Sequence, residues 1–171
     1  MNRLVPLIGA GVAAALMTPV ASPALAADKD RKASAAAAAK SARFTHLPTS
    51  NYRLSAKFGQ RGSYWSSGRH TGLDFAAARG TKVRAVGDGK VIFAGWGGAY
   101  GKAIIIKHKN GKRSLYAHLS KKKVKKGKRL KAGRIIGKVG GTGNVTGPHL
   151  HFEVRTKNGK KLNPREFLRG E

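Results

Sequence analysis

Two histidines stand one residue apart in "GPHLHFEVR", at positions 149 and 151. On an extended strand, side chains at i and i+2 share a face. His149, His151, Glu153 and Arg155 therefore point one way, and the apolar Leu150, Phe152 and Val154 the other. In "RHTGLDFA", Asp74 follows His70 by four residues, with Gly72 between them. Either an extended or a helical path brings i and i+4 to one side. In "SLYAHLS", alternation assigns Leu115, Ala117 and Leu119 to one face and Tyr116 and His118 to the other. Three segments thus each offer an imidazole on a face away from the core. One carboxylate accompanies them, in a chain with only seven acidic residues. This is the inventory of a metal hydrolase. A catalytic Zn²⁺ takes three protein N/O ligands and keeps one position for water. It lowers the pKa of that water to about 7 and polarises the scissile carbonyl. Further imidazoles supply proton transfer and hold developing charge. Each spacing is weakly specific alone, and a lone histidine is more often a surface or satisfied core residue than a ligand.

The elements that must position these residues are short β-branched and aromatic runs punctuated by glycine. "TKVRAV" (81–86) and "KVIFAG" (90–95) flank Asp88-Gly89, and "KAIIIKH" (102–108) and "KRSLYAHL" (112–119) flank Asn110-Gly111. "HLHFEVR" precedes Asn158-Gly159. Asp-Gly and Asn-Gly at such places predict hairpins, because both residues favour positive φ. The reading is all-β and mainly antiparallel, with little helix and no internal repeat, over residues 46–171. Upstream, Arg3, the apolar run from Leu4 to Val20 and the Ala24-x-Ala26 site predict a secretory signal peptide over 1–26. The alanine- and charge-rich stretch 27–45 reads as a flexible spacer. No later segment is long and apolar enough to span a bilayer, so the mature form is expected to carry no transmembrane segment.

Charge and cysteine content restrict the partners. The chain has 35 lysines and arginines against seven acids, a formal net charge of +28. Removing 1–26 takes away Arg3 alone and leaves +27. Such a chain is drawn to polyanions. For an exported protein these are anionic cell-wall polymers and membrane surfaces, with no specific nucleic acid. The absence of cysteine excludes disulfides and thiolate ligands, so any metal must be held by His, Asp or Glu. The tract "KKKVKKGKRLKAGR" (121–134) reads as a solvated loop or edge strand, where lysine discourages edge-to-edge pairing. Polyanion attraction follows as a consequence. The alternative is a nucleic-acid patch.

Taken together, "FGQRGSYWSSGRHTGLDFAAARGTKVRAVGDGKVIFAG", "YGKAIIIKHKNGKRSLYAHLS" and "GNVTGPHLHFEVR" resemble the lysostaphin-type (LytM-type) zinc metallopeptidases. The likeness runs in order from about Tyr52 to Pro164. It implies a single β domain, a sandwich or open barrel with a substrate groove, that cleaves peptide bonds in bacterial peptidoglycan. It implies one Zn²⁺ held by His70, Asp74 and His151. His118 and His149 would then face substrate and water as the general-base and transition-state-stabilising pair. His46 and His108 match no motif position and are expected at a domain edge and exposed at a hairpin end. Tyr64, Trp65, Trp96 and Tyr100 are expected to line the groove or to pack. The expected protein is a secreted, wall-associated, monomeric enzyme acting on peptidoglycan peptides. Its rival is a non-enzymatic cationic wall-binding or regulatory protein of the same fold.

Overall fold

A computed structural model describes residues 44–168. The expected signal peptide and all but the last two residues of the expected spacer lie outside the described residues. The strands are β1 (Arg53–Ala56), β2 (Leu73–Ala76), β3 (Lys82–Arg84), β4 (Gly89–Trp96), β5 (Lys102–His108), β6 (Arg113–Ala117), β7 (Leu119–Lys122), β8 (Arg129–Leu130), β9 (Ile135–Val139), β10 (His149–Arg155) and β11 (Lys161–Leu162). Two short 3₁₀ turns, Gly98–Tyr100 and Pro164–Glu166, complete them. Every pairing is antiparallel. One sheet runs β1-β2-β10-β6-β5-β4-β8, with β11 also on β10; the other runs β3-β9-β7. The fold is all-β as expected, and the sheets do not close into a barrel.

Alternation in β10 works as the sequence predicts. Leu150, Phe152 and Val154 enter the main core with Leu73, Phe75, Ile104, Ile106, Val83, Ile136 and Val139. Burying a side chain of this size stabilises by roughly 1.5–3 kcal/mol. The opposite face of β10 pairs His151 with Asp74 on one side and Ala117 on the other. That face carries the site. Phe44 is also core, with 3% of its surface exposed, although it falls in the stretch read as spacer.

Two of the three expected hairpins form, β5–β6 around Gly111 (φ 75°) and β10–β11 around Gly159 (φ 87°). Asp88-Gly89 does not make one. β3 pairs with β9 in the other sheet, not with β4. Asp88 instead accepts from Ala132 N (2.8 Å) and Lys131 Nζ (3.0 Å), so the dipeptide passes the chain between sheets. The tract 121–134 begins on β7, an edge strand, and continues through a loop to β8, another edge. His108 is buried rather than exposed. Phe44 covers it at 4.7 Å between rings, and its ring nitrogens meet Asp88 O (2.8 Å) and Ser114 Oγ (2.7 Å). His46 is exposed. Among the described residues, no helix is long and apolar enough to cross a membrane.

Candidate metal centre and active site

Two neighbouring strands bring His70, Asp74 and His151 together. His70 lies three residues before the start of β2, Asp74 lies within it, and Asp74 is the register partner of His151 on β10. Gly72 permits the approach. A Cβ there would stand 2.2 Å from Phe152 O, so only glycine lets the chain after His70 lie against β10. His70 Nε2 lies 3.1 Å from His151 Nδ1 and 3.1 Å from Asp74 Oδ1, and His151 Nδ1 lies 2.7 Å from the same oxygen. The potential ligand atoms of the three residues all fall within 4.8 Å of one another.

The outward nitrogens each have an acceptor. A carbonyl or carboxylate oxygen only accepts, so the ring nitrogen facing it carries the proton. His70 Nδ1 donates to Lys57 O (3.1 Å), and His151 Nε2 donates to Glu153 Oε1 (3.1 Å). The inward atoms, His70 Nε2, His151 Nδ1 and Asp74 Oδ1, meet at one point, and rings that are neutral with the proton on the outward nitrogen present lone pairs there. In that form the set repels itself unless a proton or a metal ion sits among them. Burial disfavours charge on His151, yet Asp74 and Glu153 on its two sides raise its pKa above the usual histidine value. The pocket field therefore favours positive charge. The donor set, two imidazoles and one carboxylate without sulfur, suits Zn²⁺.

Two more imidazoles stand over this group. His118 and His149 have ring centroids 4.8 Å apart, and His118 is 5.9 Å from the His151 ring. His118 Nδ1 donates to Thr142 O (2.8 Å) and His149 Nδ1 to Gly147 O (2.9 Å), which leaves both Nε2 atoms with lone pairs. His149 Nε2 is 3.8 Å from Asp74 Oδ1. Burial is the main cause that lowers the His118 pKa to about 4, so this imidazole is neutral at pH 7.

His118 reaches the site by a route that alternation does not give. Ala117 pairs with His151, and Leu115 with Glu153, so these residues share the site face. Tyr116 points into the core, where its hydroxyl accepts from Val86 N (3.0 Å). Strict alternation would send His118 after Tyr116. Instead His118 has φ 59°, the left-handed region, which turns it to the site side. The expected face for Tyr116 is corrected, while His118 joins the other histidines as expected.

Glu153 was missed as a functional residue. It is fully buried and accepts from four groups: Thr71 Oγ1, Tyr100 Oη (2.8 Å), His151 Nε2 and Arg155 Nε. Burial alone would raise its pKa, but the His151 and Arg155 contacts hold it down to about 2. A glutamate and an arginine two and four residues after His151, on its own strand face, were the available signal. Trp65 lies against His70 at 4.9 Å between rings, while Tyr64 and Trp96 are exposed.

Comparison with known proteins agrees with this geometry. The profile of peptidase family M23 matches residues 68–164. Over 95 residues, 56% of this chain, the sequence is 52% identical to the DD-carboxypeptidase/endopeptidase Mpg of Neisseria meningitidis, covering 22% of that protein. It is 40% identical over 125 residues to the peptidoglycan DD-endopeptidase ShyC of Vibrio cholerae, covering 71% of this chain and 29% of that one. The chain therefore spans about a fifth to a third of the length of these relatives. The catalytic domain of lysostaphin from Staphylococcus simulans superposes with a TM-score of 0.65 at 38% identity, over 67% of this chain and 90% of that domain. A zinc-containing peptidase from Vibrio cholerae superposes at 0.64 and 35% identity, over 71% of this chain and 39% of that one. The histidine and aspartate spacing, the sheet that unites them and the family profile lead to one assignment: this chain belongs to peptidase family M23, a family of metallopeptidases.

Proposed function

We propose that the protein is an exported zinc endopeptidase that hydrolyses peptide bonds in bacterial peptidoglycan, at cross-links or in stem peptides. The observation that carries this reading is the convergence of five side chains. The potential ligand atoms of His70, Asp74 and His151 lie within 4.8 Å of one another, beside two imidazoles anchored at Nδ1 by backbone carbonyls. The relatives named as peptidoglycan endopeptidases support the substrate class, and the basic start with the apolar run 4–20 supports export.

His70 Nε2, Asp74 and His151 Nδ1 would hold the ion. When bound, zinc lowers the pKa of water to about 7 and polarises a scissile carbonyl. The protein supplies proton traffic. His118, neutral at pH 7, or His149 beside it takes the proton of the attacking water at Nε2 and returns it to the departing amine, for about 10²–10⁴-fold in rate. Their Nδ1–H bonds to backbone carbonyls anchor both rings throughout and leave Nε2 to gain and give back the proton. A non-enzymatic wall-binding protein would need neither the ligand set nor this orientation of two free Nε2 atoms.

The test is digestion of purified walls with direct and glycine-bridged cross-links, with identification of the new amino termini. Activity should vanish with a chelator and return with Zn²⁺. Chelator-resistant cleavage, or full activity in a zinc-free Asp74→Ala protein, would overturn the reading.

A further inference from the structure

The β-sheet register places cations directly opposite one another on six consecutive strands. Lys161 on β11 pairs with Arg155 on β10, Arg155 with Arg113 on β6, and Arg113 with Lys107 on β5. Lys107 pairs with Lys90 on β4, and Lys90 with Arg129 on β8. Directly opposed residues share a face, so all six lie in one line on the side of the sheet that carries Glu153 and His151. At ~4.8 Å between strands the line is roughly 24 Å long and crosses the sheet from edge to edge.

Like charges directly opposite are destabilising, and this sheet accepts five such pairs in succession. Among the described residues, only Arg155 of the six has a carboxylate partner, Glu153. Lys90, Lys107, Arg129 and Lys161 are exposed. Arg113 Nε is the one buried side-chain polar atom without a hydrogen-bond partner among the described residues. Five of the six cations in the line thus lie, among the described residues, without a carboxylate partner, an arrangement that a bound anion would neutralise. Guanidinium groups suit phosphate, which they meet bidentately.

We propose that this row is a binding track for a linear, phosphodiester-linked anionic polymer of the cell wall, laid across the strands. The choice of a wall polymer rests on the chain acting at the wall; the track itself rests on the register alone. Arg155 lies four residues from His151 on one strand, roughly 13 Å away. A polymer in the track is thus held beside the metal centre without entering it, and would align the wall relative to the site.

The experiment uses the full chain and a purified poly(glycerol phosphate) as probe, with binding measured across a salt series. The row variant is Lys90→Gln/Lys107→Gln/Arg129→Gln/Lys161→Gln. The control, Lys121→Gln/Lys123→Gln/Lys125→Gln/Lys126→Gln, removes the same charge from exposed lysines elsewhere. The row variant should bind at least ~10-fold more weakly than the control. Its slope of log K against log salt should flatten by about 3, as four released counterions require. Without polymer it should also show a higher Tm than the control, because opposed cations have been removed. Cleavage of a small soluble peptide should be unchanged in both. Equal losses in the two variants would show that net charge alone attracts the polymer and would overturn the track. A single-stranded oligonucleotide of matched charge, bound as tightly and lost in the same variant, would overturn the wall-polymer assignment. Loss of small-peptide cleavage in the row variant would overturn a separate track. Binding is read without catalysis, so failure of the peptidase reading and failure of the track are distinguishable.

Discussion

Replacing Glu153 with glutamine separates its support of the proposed metal ligand His151 from its support of the fold. The carboxylate accepts from Thr71, Tyr100, His151 and Arg155. Glutamine keeps the shape and one acceptor oxygen but turns an amide toward Arg155, donor against donor. Breaking a buried ion pair costs about 3–5 kcal/mol. Arg155 keeps 20% of its side chain in solvent, which places the loss near the lower end, at about 3 kcal/mol. A typical domain is stable by about 5–15 kcal/mol, so Glu153→Gln should fold, with Tm lower by roughly 10–15 °C. The bond from His151 Nε2 would lose its charge assistance, roughly half its strength. Loss of such an outer partner weakens metal affinity by ~10–100-fold. Competition against a chelator gives the zinc affinity, and ¹⁵N NMR of the imidazoles reports whether His151 keeps its proton on Nε2. A zinc affinity within about twofold of the wild type, alongside the lowered Tm, would show that Glu153 serves the fold only.

Three further outcomes are expected. His118→Ala and His149→Ala should lose ~10²–10⁴-fold in turnover while still binding zinc; failure of either folded variant to bind would make that residue a ligand. Gly72→Ala should drive the chain off Phe152 O, costing about 1–3 kcal/mol and weakening zinc retention, which urea unfolding and a zinc titration would register. His108 has its pKa lowered from 6.5, chiefly by burial, so the unfolded chain takes up its proton first. Its stabilising contribution is complete above about pH 6.5 and declines as pH falls toward the folded-state value. Urea midpoints between pH 7.5 and 5 should therefore fall more steeply for the wild type than for His108→Gln, and parallel profiles would refute this.

Local pairings were legible in the sequence and distant ones were not. Asn110-Gly111 and Asn158-Gly159 announce their hairpins because the turn residues and both strands are contiguous. Asp88-Gly89 carries the same signal, but β3 finds its partner in β9, whose first residue lies 51 positions after Arg84. No local pattern reports that choice. The i, i+2 and i, i+4 spacings placed His149, His151, His70 and Asp74 correctly because each pair sits on one short segment. The Glu153 network draws on Thr71 and Tyr100, 82 and 53 residues away, and so required the fold. His108 appeared exposed for a similar reason, since its cover is Phe44, outside the expected domain.

The left-handed backbone at His118 sets fitness against durability at one position. An L-residue there forgoes roughly 1–2 kcal/mol, which glycine, free of a Cβ, would largely recover. Any library ranked by heat resistance will therefore enrich glycine at 118 and discard the imidazole with it. A thermostable descendant obtained that way would keep its sheets and the His70, Asp74 and His151 cluster while losing the imidazole proposed to carry the proton. Stabilising this enzyme calls for changes elsewhere, with position 118 held fixed by selection on turnover.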